Sequence, residues 1–291
     1  MVAKRLVAVF AAAVLIVGAV LVRAKVLDGD DASAAPRPGT ATTLACLTEL
    51  LDICRAAAGG LTVATIGPIA EPPAGAVLVT FDPLPAAIDL VREGRRDDPL
   101  EFTTARVASS PLALVTKTDA FESACPKRDW RCLGDNATTL KPAFAPLSSG
   151  IGQVSVAAVV RGWFGGNSIV GDDVAFARWA TRLKNTVPIS QLSRGTPIGT
   201  IQTGRPAVGL GVGAEAEVLD LQRDNFRVLY ADPMTRYDIV LAEPAGIAAP
   251  EALADALANA AADAGWSTQA VPGQPPSASD LVAATAAWSR L

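Results

Sequence analysis

The feature that most constrains the fold of this chain is the apolar segment 106–117, which is interrupted at its centre by Ser109-Ser110-Pro111. The segment predicts a buried strand, but proline has no N–H to donate to a neighbouring strand. We therefore expect the strand to change partners here and to pass from one sheet into another. Two hydroxyl groups would then lie between two lobes, which is a plausible ligand position. The alternative is an edge strand that carries an ordinary proline.

The amino-acid composition excludes several classes of function for this protein. The chain has 291 residues, of which 50% are hydrophobic and 19% charged, as is typical of packed α/β layers. The formal net charge of −4 leaves no basic face for nucleic acid. Histidine is absent from the sequence, which excludes Ser-His-Asp and Cys-His catalysis and His-based metal sites. An enzyme would have to use carboxylates or lysine.

Residues 1–25 predict a membrane segment. An uncharged apolar run at 6–22 follows Lys4-Arg5 and is closed by Arg23 and Lys25. Its length is roughly that of a short spanning helix. We favour an uncleaved single-pass anchor over a cleavable signal peptide, because basic residues follow the run directly and the first small-x-small site is remote, at 32–34. Residues 26–42 are rich in Asp, Gly, Ala, Ser and Pro and predict a flexible linker.

The four cysteines form two sequence-local pairs, Cys46 with Cys54 and Cys125 with Cys132. Behind an export segment, this pattern predicts two disulfides in an oxidising compartment. The globular region is therefore expected on the extracytoplasmic side of the cell membrane. The alternative is a metal site, which would need all four thiolates to converge from distant segments.

Strand and helix patterns alternate along the rest of the chain, which predicts parallel pairing of strands. Strands are expected at 44–47, 61–66, 76–81, 141–146, 207–211, 226–230 and 237–242. Helices are expected at 48–58, 84–93, 153–164, 196–203, 213–222, 250–264 and near the C-terminus. A second crossing between sheets is expected at Asp232-Pro233.

The order of several motifs resembles the type II periplasmic-binding-protein superfamily, and more narrowly the bacterial extracellular solute-binding proteins of molybdate-binding-like, actinobacterial exported type. The motifs that carry the resemblance are Val79–Pro83, Val107–Leu114, Asp129–Gly134, Gly213–Glu217 and Val228–Pro233. The resemblance implies an α/β fold with two lobes of mixed sheet flanked by helices and joined by two crossing strands. An N-terminal membrane helix would precede them. The expected lobe boundaries are 43–108 and 233–291 for the first lobe and 109–232 for the second.

The resemblance also implies a ligand cleft lined by turns between strands and helices, where free N–H groups and the positive end of the helix dipole are available. The residues expected to bind the ligand are Thr48, Asp82, Ser109, Ser110, Ser148 and Ser149. For each hydroxyl, a helix cap that bonds its own backbone is an equally good interpretation.

The function expected from these observations is an envelope-anchored solute-binding protein that captures a small polar or anionic ligand without a cofactor. Its partners would be that ligand, the membrane and a transporter of the ABC type or another envelope protein. One alternative is a degenerate binding fold that acts as a non-catalytic structural or interaction module. A third hypothesis, an enzyme using Asp172-Asp173 or Glu215 and Glu217, is disfavoured because these residues suit a helix cap and a solvated helix face.

Overall fold

The computed structural model describes residues 39–165, 174–187, 192, 196–203, 207–218 and 226–291. The predicted membrane segment 1–25 and the pair Asp172-Asp173 lie outside these residues, as does the predicted linker up to residue 38. The chain divides after Arg37, and the unit that begins at Pro38 contains the whole of the described fold. Within the described residues, no helix combines the length and the apolar character that a membrane crossing requires.

The strands of the described residues are numbered in chain order. They are β1 (Gly39–Thr40), β2 (Thr43–Leu47), β3 (Thr62–Ile66), β4 (Ala76–Asp82), β5 (Thr103–Thr116), β6 (Pro142–Ala143), β7 (Leu210–Ala214), β8 (Arg227–Leu229), β9 (Arg236–Glu243) and β10 (Ile247–Ala248).

The α-helices are numbered in the same way. They are α1 (Leu51–Ala57), α2 (Leu84–Arg95), α3 (Ala120–Ala124), α4 (Trp130–Asp135), α5 (Ala137–Leu140), α6 (Gly150–Trp163), α7 (Val174–Thr186), α8 (Pro197–Gln202), α9 (Leu253–Asp263) and α10 (Ala278–Ser289). Two 3₁₀ turns, Thr48–Leu50 and Glu215–Val218, follow strands β2 and β7.

Eight strands form one mixed sheet in the order β3-β2-β4-β9-β5-β7-β6, with β8 also paired to β5. Strand β2 pairs parallel with β3 and with β4, which confirms the parallel pairing expected from the alternating pattern. Strand β9 lies antiparallel between β4 and β5. The short strands β1 and β10 form a separate parallel pair.

Strand β5 changes partners where the sequence predicts it. Its pairing with β9 ends at Pro111, opposite Arg236, and its pairing with β7 begins at Leu112, opposite Ala214. Proline fits this position because the missing N–H removes only one ladder bond at the point where the strand leaves its neighbour. The chain returns between β8, which pairs with the second half of β5, and β9, which pairs with the first half.

The core lies along both faces of this sheet. Six of the seven residues of β4 are buried, which is the pattern of a strand covered on both sides. Helix α9 packs against α1 and β5, and helix α10 packs against α6 and α2. One main apolar cluster runs from β2 and β4 through β5 to α6 and β7. The division into two lobes at 43–108, 109–232 and 233–291 stays a prediction.

Both predicted disulfides are confirmed. Cys46 in β2 is bonded to Cys54 in α1, and Cys125 is bonded to Cys132 in α4. Helix α4 begins at an N-cap, where the Asp129 carboxylate accepts a hydrogen bond from the Cys132 N–H at 2.8 Å. Each bridge closes a short loop, so each contributes about 2 to 3 kcal/mol on a loop-entropy estimate.

Several element boundaries differ from the sequence prediction, three of them in the second half of the chain or close before it. The strand expected at 141–146 is only Pro142–Ala143, because the prolines at its ends supply no N–H groups for a longer ladder. The strand expected at 207–211 lies instead at 210–214, the register that its pairing with β5 requires. The helix expected from residue 213 begins, within the described residues, as a 3₁₀ turn over Glu215–Val218.

Candidate functional site

Ser109 lies at the end of the paired segment of β5 and β9, and its side chain is fully engaged with protein. Its hydroxyl donates to Asp238 Oδ1 at 2.5 Å and accepts from an Arg106 guanidinium N–H at 3.0 Å. Its backbone exchanges two hydrogen bonds with Ser267, at 2.7 and 2.9 Å. Ser109 is 0% exposed. The hydroxyl therefore holds the side chains of Asp238 and Arg106 in place, and both of its hydrogen bonds are made to protein groups.

Ser110 connects the two halves of the sheet. Its hydroxyl oxygen accepts a hydrogen bond from the backbone N–H of Ala216 at 3.0 Å, which holds the turn Glu215–Val218 beside β5. Its own hydrogen is directed to the Pro111 carbonyl oxygen at 3.4 Å, which is long for a hydroxyl donor. The Ser110 hydroxyl is consequently anchored as an acceptor and retains capacity to donate.

A cavity of about 380 Å³ lies at this change of partner. Its volume falls in the range of small-molecule sites. The lining comes from β5, from the turn after β7, and from the segments 230–234 and 265–272: Ser109, Ser110, Pro111, Glu215, Ala216, Tyr230, Met234, Gly265, Ser267, Val271 and Pro272. Apolar walls therefore surround a few polar groups, as in sites that bind small organic molecules. We call this space the β5 cavity.

Glu215 supplies the one carboxylate among the described lining residues of the β5 cavity. Tyr230 donates its hydroxyl hydrogen to Glu215 Oε2 at 3.0 Å. A carboxylate has about four lone-pair positions, so this bond uses only part of its accepting capacity. Glu215 is thus oriented by Tyr230 and still able to accept from a ligand.

The guanidinium of Arg236, which lies beside the β5 cavity, is bonded to other protein groups. Arg236 Nε donates to both carboxylate oxygens of Asp238, at 3.0 and 2.9 Å. Its Nη1 donates to the carbonyl oxygens of Val271 and Gly273. The Asp238 side chain is 5% exposed, so this ion pair is largely shielded from solvent. Arg236 therefore neutralises Asp238 and orders the 271–273 segment that walls the cavity.

Asp82 ends β4 directly opposite Asp238 in the sheet register. Burial raises the pKa of Asp82 above its usual range, and the neighbouring Asp238 charge raises it further, against a lowering by Arg236. Asp82 is not among the residues that line the β5 cavity. Asp82 instead belongs to a group of charged side chains beside the cavity, together with Asp238 and Arg236.

The N-terminus of helix α6 is already occupied by protein groups. Ser149 is its N-cap, accepting from the Gly152 N–H at 3.0 Å and donating to the Pro146 carbonyl at 2.9 Å. The carboxylate of Glu49 accepts from the Ile151 N–H at 3.0 Å. Glu49 follows β2 and lies 102 residues before Ile151 in the chain. Its carboxylate places a negative charge from the protein itself at the positive end of the helix dipole.

A second carboxylate, that of the half-buried Glu217, lies close to Glu49. Glu217 accepts from the Ala214 N–H at 3.0 Å, and burial together with the Glu49 charge raises the pKa of Glu217 to about 7 against the lowering by that hydrogen bond. Nearby, the hydroxyls of Tyr237 and Ser155 are bonded at 2.7 Å, and burial raises the pKa of Tyr237.

Aromatic rings fill the space behind this cluster. Phe81 lies 5.6 Å from Tyr237 and 5.7 Å from Trp266 between ring centroids. A Cβ at Gly150 would approach Leu47 and Phe81 side chains to 2.6 and 2.8 Å. Helix α6 therefore meets β2 and β4 in close apolar contact, which glycine alone permits at that position.

Two of the six predicted ligand residues line one cavity. Ser109 and Ser110 line the β5 cavity, whereas Thr48 and Ser148 are exposed and Ser149 is a helix cap. The capping interpretation weighed for the hydroxyls thus describes Ser149. The role of the six residues in ligand binding stays a prediction.

Sequence reasoning missed several groups around the β5 cavity. Glu215 was considered only as a candidate catalytic carboxylate, although its place directly after a strand was a usable signal. Tyr230, Ser267 and Glu49 carry no local pattern that separates them from ordinary surface residues. Within the described residues, no group of three acidic or cysteine side chains could hold a metal ion.

A second cavity of about 490 Å³ lies near the C-terminus, between the 142–147 segment, α7 and Trp288. Its walls are mainly apolar, and Phe144 and Trp288 meet edge to face with ring centroids 5.9 Å apart. Its one lysine, Lys184, already donates to the Trp288 carbonyl at 3.0 Å. This space offers fewer converging polar groups than the β5 cavity.

Comparison with known proteins gives the class of the fold. No protein-family model and no curated protein matches the sequence. Among solved structures, a periplasmic thiamin binding protein has 11% identity and a TM-score of 0.53, over 89% of this chain and 99% of that one. Iron-bound HitA from Pseudomonas aeruginosa has 16% identity and a TM-score of 0.52, over 87% and 98%. The ferric binding protein from Campylobacter jejuni has 8% identity and a TM-score of 0.52, over 85% and 97%.

These likenesses show a mixed α/β fold of the periplasmic-binding-protein class. More narrowly, the chain has the fold of the type II periplasmic binding proteins, which confirms the resemblance drawn from the order of its motifs. Identities this low concern the fold alone.

Proposed function

We propose that this protein is an extracytoplasmic solute-binding protein, anchored in the cell membrane by residues 1–25, that captures a small polar ligand in the β5 cavity. The two lobes expected from the fold would meet at this cavity. The observation that carries the proposal is the convergence of Ser110, Glu215, Tyr230 and Ser267 around one space of about 380 Å³ at the change of partner in β5. Groups from separate segments that meet in one cavity suit ligand capture better than a structural contact does.

The fold supports this proposal. Similar solved structures include a thiamin binding protein, an iron-bound protein and a ferric binding protein, by their own descriptions. A membrane transporter is the partner that we propose for the captured solute. We propose no catalytic role, because the one nucleophile and base that the described site brings together, the Ser109 hydroxyl and the Asp238 carboxylate, are buried and bonded to Arg106 and Arg236.

The two confirmed disulfides support the extracytoplasmic location, since such bonds persist in oxidising compartments. We expect the mature chain to retain the apolar run 6–22 and to fractionate with membranes. N-terminal sequencing tests this, and a mature chain that starts near Pro36 would show that the segment is a cleaved signal peptide.

A ligand-screened thermal unfolding experiment tests the binding function. With the full chain in a neutral detergent, a ligand at about 100 times its Kd should stabilise the folded state by about 2.7 kcal/mol. Ser110→Ala removes the hydroxyl that retains donating capacity, so the ligand should raise the melting temperature of this variant, measured against the variant without ligand, by less than it raises that of the parent protein. A broad set of neutral, cationic and anionic solutes that leaves the melting temperature unchanged would contradict the proposal.

One observation favours a second candidate, a degenerate binding fold that acts as a structural or interaction module of the envelope. Glu49 and Ser149 already satisfy N–H groups at the α6 N-terminus, and Phe81, Tyr237 and Trp266 fill the adjacent space. If the solute screen fails, this candidate replaces ligand capture.

A further inference from the structure

We propose that the ligand of the β5 cavity is a small organic cation, held through an ammonium or similar N–H donor by the carboxylate of Glu215. This inference rests on the proposed binding function and adds the chemical class of the ligand. The sequence predicts a small polar or anionic ligand, and this inference departs from the anionic alternative. The carrying observation is the placement of a carboxylate, with no basic side chain, in the described wall of the cavity.

The wall determines the sign of charge that it can bind. A ligand that enters the β5 cavity loses part of its hydration, so an anion would need a fixed positive partner there. Among the described lining residues, none is lysine or arginine. An anion would instead meet the negative charge of Glu215, whereas a cation would form a charge-assisted hydrogen bond with it.

The nearby cationic groups do not supply the missing positive charge. Arg236 pairs with Asp238 and donates to two carbonyls, and Arg106 donates to the Ser109 hydroxyl. Neither guanidinium is part of the cavity wall. Withdrawing Arg236 to bind an anion would leave the Asp238 carboxylate buried without its partner, which is strongly unfavourable.

The other group that could bind an anion is the N-terminus of α6. Its Ile151 N–H already bonds the Glu49 carboxylate at 3.0 Å, and its Gly152 N–H bonds Ser149 at 3.0 Å. Glu49 thus acts as an internal anion at the place where an external anion would bind. This removes the second physical basis for the anionic class.

Glu215 is prepared to bind a donor. Tyr230 fixes Oε2 through a hydrogen bond of 3.0 Å, so the carboxylate is oriented before the ligand arrives. The Tyr230 ring also lines the cavity, and aromatic faces attract cations. Pro111, Met234 and Val271 provide apolar surface for the carbon skeleton of the ligand.

An organic cation fits this wall better than a metal ion. Metal sites in proteins need several converging carboxylate, carbonyl, thiolate or imidazole ligands. The described residues contain no group of three acidic or cysteine side chains able to hold a metal. One carboxylate within apolar walls instead matches one ammonium on an apolar body.

The test uses three probes that share a four-carbon chain: butylammonium, butanol and butyrate. Binding to the full chain in a neutral detergent is measured by ligand-observed NMR and by thermal unfolding, at equal millimolar concentrations. We expect butylammonium to bind at least about tenfold more tightly than butanol, because a hydrogen bond to a charged group adds free energy equivalent to that factor or more. Butyrate should bind more weakly than either.

Glu215→Gln keeps the shape of the side chain and its bond to Tyr230 but removes the charge. We expect it to abolish the preference for butylammonium over butanol, with butanol binding unchanged. Glu251→Gln, at an exposed position that is not among the described lining residues of the cavity, is the matched control and should keep the preference. Raising the salt concentration should weaken butylammonium binding to the parent protein and leave Glu215→Gln unaffected.

The outcomes separate this inference from the proposed function. Butyrate or butanol binding as tightly as butylammonium, with no effect of Glu215→Gln, would overturn the cationic class and leave solute binding intact. An absence of binding by all three probes, together with a failed solute screen, would overturn both. If Glu215→Gln does not fold, the salt dependence of the parent protein decides, because binding of a cation by a carboxylate must weaken with salt.

Discussion

Glu217 should make the stability of this protein fall as the pH rises through neutrality. Burial and the Glu49 charge raise the pKa of Glu217 from 4.5 to about 7. Between these values the folded protein binds one more proton at this site than the unfolded chain does, so stability is fully present below pH 4.5 and is lost as the pH rises through 7. Each pKa unit corresponds to about 1.4 kcal/mol, so the whole effect is about 3 kcal/mol.

Glu217→Gln isolates this contribution. The amide oxygen can still accept from the Ala214 N–H, but the side chain no longer titrates. We expect the melting temperature of the parent protein to fall by about 5 to 10 °C between pH 5 and pH 8 relative to that of Glu217→Gln, since about 2.5 kcal/mol of the effect falls in this interval and about 1 kcal/mol shifts the melting temperature by 2 to 4 °C in a domain of this size. The difference between the two proteins removes the contributions of other groups, including Asp82, whose pKa is also raised.

Calorimetry of the full chain in a neutral detergent, at closely spaced pH values, measures both slopes. Glu251→Gln alters an exposed carboxylate and should follow the parent protein. Equal pH slopes in the parent protein and Glu217→Gln would show that Glu217 ionises normally in the fold. A parent protein that gains stability relative to Glu217→Gln as the pH rises would reverse the sign and refute the reasoning outright.

Three further substitutions test the surrounding structure by thermal or denaturant unfolding. Glu49→Gln keeps an acceptor for the Ile151 N–H but removes the charge at the α6 N-terminus, so it should cost about 0.5 to 1 kcal/mol and move the Glu217 transition to lower pH; an unchanged transition would contradict the coupling. Gly152→Ala would bring a Cβ to 2.1 Å from a backbone carbonyl oxygen and should cost about 1 to 3 kcal/mol, whereas Gly94→Ala meets nothing within 4 Å and should cost nothing. Ser110→Ala leaves a buried backbone N–H unpaired and should cost about 1 to 3 kcal/mol; a loss below 0.5 kcal/mol would mean that the hydrogen bond at 3.0 Å contributes little.

The sequence alone determined features that depend on local chemistry. Pro111 has no N–H, and β5 changes partners between residues 111 and 112. Each cysteine lies within eight residues of its partner, and both bridges form as predicted. A final helix near the C-terminus forms as expected, and Ser277 caps it by accepting from the Asp280 N–H at 3.1 Å. Such features follow from atoms close together in the chain.

Element boundaries were less predictable where tertiary pairing sets them. The apolar residues at 207–214 permit a strand in more than one register, and pairing of Leu112 with Ala214 selects 210–214. Strand β6 is only two residues long because it pairs with β7 at two positions and because the prolines nearby have no N–H to extend the ladder. Local patterns therefore gave the existence and order of these elements more reliably than their ends.

The roles of the hydroxyls and carboxylates were decided by tertiary structure. Ser109 bonds Asp238, 129 residues away, and Glu49 bonds Ile151, 102 residues away. The sequence shows that a serine can donate, accept or cap, but the partner depends on which distant segment arrives beside it. Glu215 likewise becomes the charged wall of a cavity only because β5 and β7 pair and bring the turn after β7 against Ser110. Side-chain chemistry is local, whereas hydrogen-bond partners and burial are properties of the folded chain.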